Sequence, residues 1–168
     1  MVRRTCTSFL FASLLASPAV AACAADEATL FSCTAQDQKH YIELCGVRDD
    51  AAGGYQSLRY VYGTGTDEEL SFPEDRRDGK SKLLFSHHVS KDRYYWRLRF
   101  SNKSHSYIVF GDPEDAGVEV FRKKEKLTEV VCGERPAAYP DDIRRAASCD
   151  EDNDFGAAGC SETPPTAK

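Results

Sequence analysis

Six cysteines are spread through the chain after its first 21 residues, at positions 23, 33, 45, 132, 149 and 160. They constrain the fold more than any other feature. A seventh, Cys6, lies inside the segment that precedes them. That segment reads as an export signal. Arg3 and Arg4 supply a positive start. Residues 8–16 (SFLFASLLA) form an apolar stretch, too short for a bilayer, which takes about 20 residues. Pro18 breaks the stretch, and Ala19-Val20-Ala21 is the small-x-small pattern that a signal peptidase cuts. Cleavage is expected after Ala21, taking Cys6 away. An even set of six thiols then enters an oxidising compartment, where three structural disulfides are the expectation. No C-x-x-C or H-x-x-x-H pair is present to favour zinc.

Residues 20–23 (VAAC) also resemble a bacterial lipobox, in which the cysteine receives a lipid. Lipidation of Cys23, or cleavage after Ala24, would leave five thiols and one odd one. Parity therefore favours a soluble periplasmic or secreted protein, with a lipoprotein anchored at Cys23 as the alternative. A membrane contact is expected only in that lipidated case, since no later apolar run approaches spanning length. Loss of Arg3 and Arg4 takes the net charge from −5 to −7. That balance argues against nucleic acid as a partner.

The chain after the signal reads as strands. Residues 30–34 and 41–45 make two short arms around the polar turn 35–40. Residues 57–62 follow, ended by Gly63-Thr64-Gly65, then 69–72, stopped by Pro73. A charged loop, 74–82, has Gly79 at its turn. Residues 82–90 lead to 93–100 (RYYWRLRF), whose alternation puts Tyr94, Trp96, Leu98 and Phe100 on one face and Arg93, Tyr95, Arg97 and Arg99 on the other. Residues 105–110, 117–121 and 126–132 complete two more hairpins. The expected fold is all-β, an antiparallel sandwich or small barrel of about seven to nine short strands. One short C-terminal helix is expected from Pro140 onward. Its first turn carries Asp141 and Asp142 and its end Arg144 and Arg145, matching the helix dipole. The organisation is a signal at 1–21, a single β domain at 22–150, and a tail at 151–168, acidic and then rich in Gly, Ala and Pro.

Cys33 and Cys45 lie on the two arms of the first hairpin and are expected to pair across it. Cys132 with Cys149 would pin the helix to the sheet, leaving Cys23 and Cys160 to tie the termini or to remain unpaired. Fifteen pairings are possible for six cysteines, so the connectivity stays open.

The candidate chemistry is sparse. Arg59, Tyr95, Arg97 and Arg99 fall on outward strand faces, and would form a basic, Tyr-flanked binding patch if their strands were neighbours. Pairing of these arginines with Glu119 or Asp92 is the plainer expectation. Asp150, Asp152 and Asp154 alternate like the opening of a calcium loop, but Phe155 stands where such a loop wants Gly and Ser161 where it wants Glu. Calcium is thus the one candidate cofactor. His87 and His88 point to opposite faces of a strand. No G-x-S-x-G elbow accompanies Ser86-His87 or Ser104-His105.

Leu30-Phe31-Ser32-Cys33, Ile42-Glu43-Leu44-Cys45, residues 116–120 (AGVEV), Val131-Cys132 and Cys149-Asp150 together resemble a group of small exported proteobacterial proteins with this hairpin and late-cysteine layout. The resemblance implies fold and compartment, and carries no catalytic residues. A looser likeness, of architecture and size, is to periplasmic lysozyme inhibitors and to envelope immunity proteins of secreted toxins. The expected function is that of a non-catalytic envelope binding protein, of inhibitor or immunity type, with an envelope enzyme or toxin as its partner. The alternatives are an envelope hydrolase using His87 or His105 with the late aspartates, and an accessory subunit of an envelope assembly.

Overall fold

In the computed structural model, residues 22–90, 93–112 and 114–161 are described. Residues 1–21, where the export signal is expected, 91–92, 113 and 162–168 lie outside them. The chain is mostly β, with 57% strand, and forms two sheets.

The first sheet is built from β1 (Ala28–Thr34), β2 (His40–Asp49), β3 (Gly54–Thr64) and β4 (Asp67–Phe72), and the two-residue β10 (Ala137–Ala138) joins its edge in the order β10-β1-β2-β3-β4. The second holds β5 (Leu84–Ser90), β6 (Arg93–Asn102), β7 (His105–Gly111), β8 (Ala116–Arg122) and β9 (Glu125–Val131) as a meander, with β11 (Ser148–Cys149) parallel to β5 at the far edge. The nine strands expected from alternation are β1 to β9. The two added strands are too short for any periodicity to register.

One core lies between the sheets. Phe31, Leu44 and Tyr60 from the first meet Trp96, Leu98 and Phe100 from the second. Phe31 packs edge-on to Trp96 at 5.5 Å, and Tyr60 lies 4.9 Å from Phe100. The arrangement is a sandwich, not a closed barrel. The helix α2 (Pro140–Ala146) packs on β1, β3 and β5 through the fully buried Ile143. A short helix, α1 (Gly79–Lys82), falls within the segment expected as a charged loop. Gly79 is helical and buried there. A Cβ on it would collide with the carbonyl oxygen of Leu58, so glycine serves close backbone approach and not a turn.

All six cysteines are bonded, but in other pairs than expected: Cys23–Cys45, Cys33–Cys132 and Cys149–Cys160. Two facts of register explain this. Cys33 lies opposite Ile42, and Cys45 opposite Thr29, so the hairpin cysteines are out of step. They also face opposite ways: Cys33 turns into the inter-sheet core, while Cys45 lies with Glu43 beneath the segment 22–27. Cys132 directly follows β9, at the opposite edge of the second sheet from β11. Five strand spacings, about 24 Å, separate it from Cys149. Cys132 instead meets the end of β1, where Ala35 bridges it and Gln36 N–H donates to Val131 O at 2.9 Å. That corner binds the two sheets together.

Candidate functional site

The outer face of the second sheet is set by the alternation of β6. Trp96, Leu98 and Phe100 are buried, which turns Tyr95, Arg97 and Arg99 outward. Register carries the same face onto neighbouring strands. His88 lies opposite Tyr95, Phe110 opposite Arg97, and Glu119 joins through Ile108. Gly117 lets β9 come close, since a Cβ there would stand 2.2 Å from the Val130 carbonyl oxygen and 3.2 Å from the Phe110 ring.

Residues 151–161 fold back over one side of this face. The Cys149–Cys160 bond closes the loop, and a 3-10 turn, Gly156–Cys160, seats it against β5. Phe155 N–H donates to Asn153 Oδ1 at 2.7 Å, which fixes the turn before the ring. Phe155 then stacks on His88 at 5.3 Å, and the Arg97 guanidinium lies 5.2 Å from the Phe155 centroid. His88 also stacks on Tyr95 at 6.5 Å. The result is a continuous run of half-buried rings, Tyr95–His88–Phe155, ending on Arg97. Beside it lies an open cleft of about 460 Å³, with Phe110, Asp112, Glu119 and Glu129 along its walls.

The expected basic patch does not form, for two reasons. Arg59 is on β3, in the other sheet, and is buried. It binds Glu27 through Nε at 2.9 Å and Nη2 at 2.8 Å, and Glu68 through Nη1 at 3.2 Å. Arg97 and Arg99 do share a face with Tyr95, but the late aspartates neutralise them. Arg97 donates to Asp154 at 2.8 Å, and Arg99 grips Asp150 with Nε and Nη2, with Asp152 3.9 Å away. Hydrogen bonding to Asp150 pushes the Arg99 guanidinium higher still in pKa. Arg93 pairs with Glu114. Asp92 lies outside the described residues.

The same contacts engage the residues expected to hold calcium. Asp150 is buried and its carboxylate is committed to Arg99, so guanidinium groups stand where a cation would sit. Asp150, Asp152 and Asp154 do not gather within ligand distance of one another among the described residues. They are the anionic half of an ion-pair network.

The histidines are dispersed. His87 is buried on the inner face between Phe85 and Tyr94, and Ser161 Oγ lies 3.3 Å from its Nε2. Burial lowers its pKa, and Arg144 adds to the effect. His105 begins β7, opposite Asn102, six residues along β6 from the partner of His87. That separation is about 20 Å. Asp150 reaches the outer face and His87 the inner one.

Alternation on β6 was enough to place Tyr95, Arg97 and Arg99 together. Phe110 and His88 needed the strand register, which two plain hairpin turns foretell. Phe155 carried no signal, because only the disulfide brings it over the sheet. Comparison with protein families, with curated proteins and with solved structures finds no match to this chain.

Proposed function

We propose that this protein is an exported, non-catalytic binding protein, of inhibitor or immunity type, that seats an envelope enzyme or toxin on the outer face of its second sheet. The observation that carries the reading is the aromatic run Tyr95–His88–Phe155 ending on Arg97, with Phe110 and Glu119 beside it. Aromatic and Arg side chains dominate interface energetics. Here they stand on paired strands and on a loop closed by a disulfide, so little ordering entropy remains to be lost on binding. A rigid face of this kind works by occlusion: it covers the partner's cleft and performs no chemistry.

Three disulfides fit an oxidising, non-cytosolic location. No helix among the described residues is long and apolar enough to cross a membrane. The Cys23 sulfur is bonded to Cys45, and a lipid thioether would need that same sulfur. This favours the periplasmic or secreted form over the anchored one. The hydrolase alternative gains no support, since His87, His105 and Asp150 do not converge. An accessory subunit would use the same face, and the identity of the partner separates the two.

The test uses the oxidised protein as bait on periplasmic and secreted fractions of its own cell, beside a Tyr95→Ser/Phe110→Ser bait of matched melting temperature. Retention of one lytic enzyme or toxin by the first bait alone, with inhibition of its activity by the free protein, is the expected result. Equal retention on both baits would remove this face, and retention with no effect on activity would remove the inhibitor role.

A further inference from the structure

On the outer face of the first sheet, the segment 22–27 lies across β2 and β3. Cys23 is bonded to Cys45, and Arg59 Nη2 donates to the Ala22 carbonyl at 2.8 Å. Under this strap sits Glu43, 7% exposed. Its Oε2 accepts the Cys23 N–H at 3.0 Å, Ser32 Oγ is 3.3 Å from Oε1, and the Ala22 backbone nitrogen is a further donor. Arg59 is spent on Glu27, Glu68 and the Ala22 carbonyl, and no cation is in contact with Glu43 among the described residues. The carboxylate is therefore buried among hydrogen-bond donors with no cation in direct contact and only Arg59 nearby, a costly arrangement.

We infer that Glu43 is the acceptor for an α-ammonium group on Ala22, created when residues 1–21 are removed. The inference rests on the export reading above. Hydrolysis of the Ala21–Ala22 bond consumes one water. It leaves the new carboxylate on the released segment and a free amine on Ala22, which is protonated at neutral pH. The charge thus appears on an atom already directed at Glu43, and the Cys23–Cys45 bond and Arg59 hold it there. An uncharged amide donor becomes a charged one, and the counter-ion arrives with processing.

The site also selects the cleavage frame. A cut after Ala24 would discard Cys23 and leave Cys45 unpaired. A lipid on Cys23 would take the sulfur that bonds Cys45. A chain that begins at Ala22 supplies the disulfide and the amine together and keeps the Ala22 carbonyl that Arg59 Nη2 holds; a chain that begins at Cys23 would keep the disulfide and an amine at Glu43 but lose that anchor. Burial alone pushes the Glu43 carboxyl upward, and a facing ammonium would reverse that direction. The other ionisable groups close to Glu43 are Arg59 on β3, Glu27 in the strap and Tyr41 on β2.

Two proteins of identical sequence from Ala22 onward test this, one with a free α-amine and one Nα-acetylated, each also as Glu43→Gln. The free-amine form is expected to melt about 3–8 °C above the acetylated one. Its α-amine should titrate about one unit or more above its usual value near 8. Glu43→Gln should abolish both differences. Equal melting temperatures with an ordinary amine titration would overturn the inference. The acetylated wild-type sequence keeps the comparison valid should Glu43→Gln fail to fold. Intact mass of the protein recovered from its own cell tests the export reading separately: a chain starting at Ala22 supports it, and any other start overturns the frame.

Discussion

Asp150 meets Arg99 across the edge of the second sheet, its two oxygens taking Nε at 2.7 Å and Nη2. The carboxylate is almost wholly buried, while a third of the arginine side chain remains exposed. The pair is thus asymmetric. Losing the arginine strands a buried charge, whereas losing the aspartate frees a cation that can turn to solvent.

Arg99→Ala should therefore destabilise more than Asp150→Asn, by roughly 1–3 kcal/mol against about 1. Urea denaturation of both variants measures the order. Equal costs would mean that Asp150 gains no more from the pair than Arg99 does.

Calcium should leave the melting temperature unchanged to within about 1 °C between chelator and millimolar ion. A single bound site saturated 100-fold would add about 2.7 kcal/mol and several degrees.

Stability should fall as pH drops below 6.5. Burial holds the pKa of His87 in the folded protein below the ordinary histidine value of 6.5, so the unfolded chain takes up a proton that the folded one refuses. Its contribution is whole above 6.5 and is lost as pH falls through the folded value. Arg144 and Asp141 face it with opposite effects, and His88 adds a small repulsion. His87→Phe should flatten this slope, read as urea midpoints at pH 7.5 and 5.5. An unchanged slope would assign the effect elsewhere.

Removing Cys33–Cys132 should cost more than removing Cys149–Cys160. Their sequence separations are 99 and 11. The chain-entropy model gives about 4–5 kcal/mol for the first and about 3 for the second. Paired Cys→Ser variants, with peptide mapping of the bonds that remain, decide the order.

Gly79→Ala should destabilise by about 2 kcal/mol or more, through its collision with the Leu58 carbonyl. Helix propensity alone would favour alanine by about 1 kcal/mol. A thermal melt shows which effect wins.

Much of the fold was legible because sheet alternation is local. Arg93 to Phe100 declares two faces without knowing its neighbours, and polar turns such as Ser101–Ser104 announce which strands adjoin. What failed was everything decided by which sheet a strand joins. Arg59 and Arg97 share an outward pattern yet belong to different sheets. Cys33 and Cys45 share a hairpin yet point through opposite faces of it. Asp150 and Asp154 looked like cation ligands because the chain gives no sign that two arginines, some 50 residues earlier, lie under them.

The pairing order has a consequence for how the molecule assembles. Within each sheet, β1 to β4 and β5 to β9 join strands that follow one another in the chain, so each meander closes only short loops and can form as soon as it is made. Apart from the packing of the two inner faces on each other, the ties that close the longest loops come after residue 131: Cys132 back to Cys33, β10 back to β1, α2 across three strands, and β11 back to β5. Two early halves, each with one greasy side, therefore wait on the last few dozen residues to be clasped. A chain cut short before Cys132 would present those two open faces to its neighbours.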